Sequence, residues 1–235
     1  MKKFYFLFVA LSMALSGYSQ TAQYYLNKGT DKIELKDYAG AIIDLNRAIE
    51  IDSNYSEAYS YRGTVKDHLM DYRGAIADYT KAIEKSPENA PVNYLIRGSA
   101  KYKLDDYTGA IDDDTWAIQL NPNYAKAFYY RANAKRELHH YTESIVDYTK
   151  AIEIDPDPEI YFYRANVKSE LQDYRGAIFD LTQAIELNPK YAEAFYFRGG
   201  AELVLGQKDA GCLDLSKAGE LGFAEAYEQI KKYCQ

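Results

Sequence analysis

Small and apolar residues return along this chain at two nested intervals. Within short stretches they fall at i, i+3, i+4 and i+7, the stripe of an amphipathic helix. Ser56–Leu69 (SEAYSYRGTVKDHL) and Tyr72–Lys85 (YRGAIADYTKAIEK) both carry it without an internal proline. Pro91 and Pro158 stand where a helix would begin, and Pro87 follows one that has ended. The DY, MDY and HHY segments between paired stretches are too short for anything but a tight antiparallel turn. At about 1.5 Å per residue each helix is roughly 20 Å long, too short to be stable alone.

The longer interval is a repeat. DYAGAIIDLNRAIEIDS begins at Asp37, and DYRGAIADYTKAIEKSP at Asp71. DYTGAIDDDTWAIQLNP follows from Asp106, HYTESIVDYTKAIEIDP from His140 and DYRGAIFDLTQAIELNP from Asp173, with a worn copy from Lys208. Pro87, Pro122, Pro156 and Pro189 close the middle copies at spacings of 35, 34 and 33. A fixed period in that range marks a solenoid of stacked helix pairs, each burying its apolar stripe on its neighbours.

Small residues occupy the places where such helices would touch. Gly29, Gly63, Gly98, Ala132, Ala165 and Gly199 fall once per repeat on the first helix. Ala41, Ala75, Ala110, Ser144 and Ala177 fall on the second, as do Ala48, Ala82, Ala117, Ala151, Ala184 and Ala218. Larger side chains there would wedge the helices apart. Tyr38, Tyr72, Tyr107, Tyr141 and Tyr174 recur at each turn, where they plug the end of the pair.

The order aromatic, Gly, Tyr, Ala, aromatic, Ala and Pro over 34 residues resembles the tetratricopeptide repeat. The resemblance implies an all-α solenoid of antiparallel helix pairs wound as a right-handed superhelix. It covers residues 22–223 as six repeats (about 22–55, 56–90, 91–124, 125–157, 158–191 and 192–223), leaving 224–235 as a C-terminal capping helix. The sixth copy departs most, with Gly211 where Ala is usual and no closing Pro.

One charged pattern replaces residues that are commonly apolar or aromatic in that family. Arg62, Lys66 and Asp78 are followed by Arg97, Lys101 and Asp113, then Arg131, Lys135 and Asp147, then Arg164, Lys168 and Asp180. The first copy has Lys28, Lys32 and Asp44, and the last has Arg198 and Asp214 with Glu202 in place of Lys. The basic pair shares a helix face and the Asp faces it from the second helix. Charge balance within each repeat favours an internal ion-pair ladder over a polyanion site.

The first twenty residues lie outside the repeats. Lys2 and Lys3, an apolar run from Phe4 to Leu15 and the small, polar SGYSQ have the order of a secretory signal peptide, cut after Ser19. The run is short for a bilayer span, so no membrane insertion is expected after cleavage, and the mature chain is expected in the periplasm or outside the cell. Its loss takes the formal net charge from −7 to −9, which gives no electrostatic reason to bind nucleic acid.

Export makes the two cysteines informative. With a turn at Leu221–Gly222, Cys212 and Cys234 lie nearly level across a helical hairpin and are candidates for a disulfide; two reduced packing cysteines are the alternative.

Catalysis finds little support. His68, His139 and His140 are the only histidines, and HExxH, GxSxG, Walker and GxGxxG patterns are absent. Asp112–Asp113–Asp114 lies on a predicted helix without the alternating loop ligands of a calcium site and reads as a solvated helix face. Neither a cofactor nor a metal is expected.

Binding is better supported. In the resembled family the first helices line a concave groove for peptides or partner proteins, and that surface carries over to Leu95, Tyr129, Phe162 and Tyr196, with Tyr102, Arg136 and Leu203 beside them. Tyrosine, Phe and Arg suit such contacts. Asn133 and Asn166, one turn further along, offer amides to a partner's backbone. The Lys–Asn clamp by which some relatives grip a C-terminal carboxylate is not reproduced, because Tyr129 and Phe162 stand where the Lys is needed. Trp116 occupies a place that holds Arg47, Lys81, Lys150, Gln183 or Lys217 elsewhere, either as an outer contact or as a lid on its own helix. The expected function is a non-catalytic protein-interaction scaffold; an accessory module using the aromatic groove for glycans or envelope enzymes is the alternative. Oligomeric state is left open.

Overall fold

The computed structural model describes residues 21–87 and 90–234, and the expected signal peptide lies outside them. Among the described residues the chain is all α, thirteen helices of the solenoid class. It divides into two compact units, one ending at Asn121 and one beginning at Pro122.

In the first unit, α1 (21–34) pairs with α2 (Tyr38–Ile51), α3 (Ser56–His68) with α4 (Tyr72–Lys85), and α5 (Ala90–Tyr102) with α6 (Tyr107–Leu120). In the second, α7 (Ala125–Glu137) pairs with α8 (Tyr141–Ile154), α9 (Pro158–Glu170) with α10 (Tyr174–Leu187), and α11 (Ala192–Val204) with α12 (Lys208–Glu220). The short α13 (Glu225–Tyr233) closes that end against α12. Within each unit every second helix also packs on the first helix of the next pair.

The hairpin turns repeat one geometry. The Asp71 amide donates to the Lys66 carbonyl at 2.9 Å and the Met70 amide to the Asp67 carbonyl at 2.9 Å, a pair of bonds that satisfies the ending helix's carbonyls. This needs a left-handed residue between the helices. Lys36, Met70, Asp105, His139 and Gln172 take it with φ near 60°, although none is glycine; the last two such turns use glycine, Gly206 and Gly222.

The second helix starts on a side-chain cap. Asp37, Asp71, Asp106 and Asp173 each accept from the glycine amide three residues on, at 3.0 Å. A Cβ on Gly74 would lie 2.1 Å from the Asp71 carboxylate, so the recurring D-Y-x-G is one capping device. The fourth copy, with His140 and Glu143, has no such bond.

In each unit the core is built of small residues with one larger filler per second helix. All of the Ala residues expected at helix contacts are buried, and the Ser144 hydroxyl, also buried, donates to the Ala132 carbonyl at 2.8 Å. The fillers are Leu45, Tyr79, Tyr148, Leu181 and Leu215, and Asp114 in the third copy. Asp113 and Asp114 are therefore buried and only Asp112 is exposed, so the acidic run is not the solvated face that its charge implied. The ladder accounts for Asp113.

The charged pattern is internal. In the fifth hairpin, Asp180 accepts from Arg164 Nε at 2.8 Å and Nη2 at 2.7 Å, and pairs with Lys168 Nζ at 2.7 Å. The same fork joins Arg62 to Asp78, Arg97 to Asp113, Arg131 to Asp147 and Arg198 to Asp214. The third guanidinium nitrogen reaches the preceding hairpin: Arg62 to Asn46, Arg97 to Thr80, Arg164 to Thr149 and Arg198 to Thr182, at 2.6–3.1 Å. Each ladder guanidinium also lies 5.3–5.6 Å over the aromatic ring three residues earlier, from Tyr59 to Phe195. One Arg thus ties its own hairpin together and to its predecessor, using the planar donor fork that Lys lacks.

Candidate functional site

The candidate binding face belongs to the second unit and is built by its first helices, α7, α9 and α11. Helical spacing puts Tyr129, Asn133 and Arg136 on one side of α7, Phe162, Asn166 and Ser169 on the same side of α9, and Tyr196, Gly200 and Leu203 on that of α11. The structure leaves all nine partly accessible.

Aromatic rings form its floor. Tyr129 lies 5.9 Å from Tyr163 and 6.2 Å from Tyr148, and its hydroxyl donates to Glu159 Oε1 at 3.2 Å. Phe162 meets Tyr163, Tyr191 and Phe197 at 5.2–5.6 Å. Burial is the main cause that raises the Tyr129 phenol above the usual tyrosine range; the Asn133 hydrogen bond opposes it and Glu159 adds to it. Tyr191 is raised likewise by burial first, then by Glu159 and Glu193. Both hydroxyls stay protonated as neutral donors.

The amides differ. Asn133 Oδ1 accepts from the Tyr148 hydroxyl at 2.5 Å, which leaves its NH2 group for the Tyr129 hydroxyl and for a partner. Asn166 has no side-chain partner among the described residues and lines an open recess of about 510 Å³ with Arg136, Glu137, His139 and Ser169. Arg136 is held by Glu137 at 2.6 Å and by the Tyr163 ring at 5.1 Å.

At the α11 end the chain covers its own surface. The Tyr196 ring meets Phe223 at 4.6 Å in a tilted pair, and Leu203 joins the cluster of Leu215, Ala218, Ala226 and Ile230. A smaller recess of about 280 Å³ remains between Tyr196, Phe197, Leu203 and Gln229 of α13. A Cys212–Cys234 disulfide ties the start of α12 to the residue after α13.

The first unit offers less of the expected surface. Leu95 is buried at 6% exposure in α5, so it is core and not a groove contact. Tyr102 is half-buried with its ring 5.2 Å from Tyr107. Trp116 is 52% exposed and its ring stacks at 6.1 Å on Tyr94 of α5, so it covers the facing helix of its hairpin rather than its own.

Sequence reasoning passed over an acidic edge. Asp157, Glu159 and Glu193 are exposed, and Glu159 and Glu193 are each the second residue of a first helix. That shared place is the signal that could have found them. Among the described residues, no group of three or more His, Cys, Asp or Glu side chains is placed to hold a metal ion, and no helix is long and apolar enough to cross a membrane.

Three family models described as tetratricopeptide repeat match residues 22–55, 125–158 and 158–191. No curated protein matches the chain in sequence. Among solved structures, PilF of Pseudomonas aeruginosa superposes with a TM-score of 0.76 at 16% identity, over 92% of this chain and 99% of that one. MamA from Desulfovibrio magneticus RS-1 gives 0.68 at 20% identity, over 73% and 97%. YrrB, described as a TPR protein with an unusual peptide-binding site, gives 0.67 at 20% identity, over 80% and 97%. At these identities the likeness establishes the fold.

Proposed function

Because the chain is a tetratricopeptide repeat protein, we propose that it acts as a non-catalytic scaffold, holding a peptide or partner-protein segment on the α7–α9–α11 face. The observation that carries this reading is the partly accessible row of Tyr129, Phe162 and Tyr196 beside Asn166, an amide left without a side-chain partner. Half-wet aromatics supply contact area with little side-chain entropy to lose, and an unpaired amide gives a peptide backbone a donor and an acceptor. YrrB's described peptide-binding site supports the same reading.

On the same reading the protein works outside the cytosol. The basic, apolar and small-residue order of residues 1–19 and the Cys212–Cys234 disulfide support this, since such bonds persist in oxidising compartments.

The test is capture from native-host extract, with crosslinking and mass spectrometry, comparing the protein with its Tyr129→Ala/Phe162→Ala variant. A partner should be lost by the variant while its circular dichroism stays helical. Equal capture by both would refute the face. Retention of glycans and of no protein or peptide would refute the scaffold.

A further inference from the structure

Resting on the peptide-binding face just proposed, we infer that its ligand is an extended segment bearing Lys or Arg, whose cation docks between the Tyr129–Phe162–Tyr191 rings and the carboxylates of Asp157, Glu159 and Glu193. Charge complementarity within a single unit points to this occupant.

The three carboxylates surround one end of the aromatic floor. Glu159 holds the Tyr129 hydroxyl at 3.2 Å, which fixes its carboxylate beside that ring. Asp157 caps the start of α9, accepting from the Glu159 amide at 2.7 Å, and so is fixed next to it. Glu193 opens α11, and its field reaches the Tyr191 hydroxyl together with those of Glu159 and Asp157. None of the three makes an ion pair among the described residues, although the repeats elsewhere pair their charges closely.

The nearby cations do not balance them. Arg136, at the far side of the face, is engaged by Glu137 and Tyr163. Lys126 and Lys190 are exposed and make no ion pair among the described residues. Counting the face at Asp157, Glu159, Glu193, Glu137 and Glu170 against Lys126, Arg136 and Lys190 leaves an excess of negative charge. Electron-rich ring faces beside carboxylates favour a cation over an anion, and partial desolvation strengthens both attractions. An acidic ligand would meet this rim with like charge, a repulsion that discriminates between partners.

The experiment uses an array of short synthetic peptides graded from acidic to basic net charge, probed with the full protein and with Glu159→Gln/Glu193→Gln. Both positions are exposed, so the variant is checked for an unchanged melting curve. Basic peptides should dominate the bound set, bind more weakly as salt rises, and lose roughly fivefold in affinity to the variant. Preferential binding of neutral or acidic peptides, or basic peptides bound equally by the variant, would overturn the charge inference and leave the face standing. Failure of the wild-type protein to bind any peptide would overturn both.

Discussion

Replacing Asp180 by Ala tests the ion-pair ladder at its most buried point. The carboxylate is fully buried and accepts from Arg164 twice and Lys168 once, all within 2.8 Å. Its removal strands two cations whose side chains are only 11% and 17% exposed. Breaking a buried pair by deleting one partner costs about 3–5 kcal/mol, because the surviving charge stays desolvated. Lys168 and Arg164 retain some water contact, which points to the lower end, about 3 kcal/mol. For a unit of this size that corresponds to a fall in melting temperature of roughly 10 °C. Urea and thermal unfolding followed by far-UV circular dichroism measure it. Glu153→Ala, which breaks the exposed pair with Lys150, should change stability by no more than about 0.5 kcal/mol. Arg164→Met/Lys168→Met/Asp180→Leu should recover most of the loss, since a packed apolar trio leaves no charge unpaired. An Asp180→Ala protein as stable as Glu153→Ala would refute the reasoning.

Two further outcomes follow from the sixth repeat. Gly211→Ala restores the residue usual at that place, yet its Cβ would lie 2.8 Å from the Gly199 carbonyl oxygen; the close approach of α11 and α12 should cost about 1–3 kcal/mol by urea denaturation, more than the helix propensity gained. Glu202 is raised above the usual carboxylate range, chiefly by burial and then by Asp214, with Arg198 opposing. A carboxyl that binds its proton more tightly when folded makes stability fall as pH rises from the unfolded value through the folded one. Glu202→Gln should therefore match the wild type in acid and melt higher at neutral pH; parallel melting-versus-pH curves would contradict this.

The period, the helix pairs and the ladder are legible in the sequence because each is a spacing. Arg164, Lys168 and Asp180 stand at i, i+4 and i+16, and those offsets return down the chain. Other features are not spacings. Leu95 shares the register of Tyr129 and Phe162, yet it is buried where they stay partly accessible, a difference that the offset alone does not carry. Asp114 reads as one of three solvated acids but occupies the place of Tyr79 and Leu181, where position in the turn overrides residue type. Met70 and Gln172 give no sign of left-handed backbone, which the two carbonyls they help satisfy impose. Glu159 and Glu193 look like ordinary surface charges until the rings beside them are placed.

The reach of the ladder arginines has a direction. Arg62, Arg97, Arg164 and Arg198 each contact an acceptor that precedes them in the chain, on Asn46, Thr80, Thr149 and Thr182. On a ribosome every such acceptor has been made before its Arg emerges. A hairpin leaving the exit tunnel can therefore dock on a finished one and close its joint at once, without waiting for residues still to be translated. Elongation and assembly can thus run the same way, each acceptor already in place for the guanidinium of the next repeat.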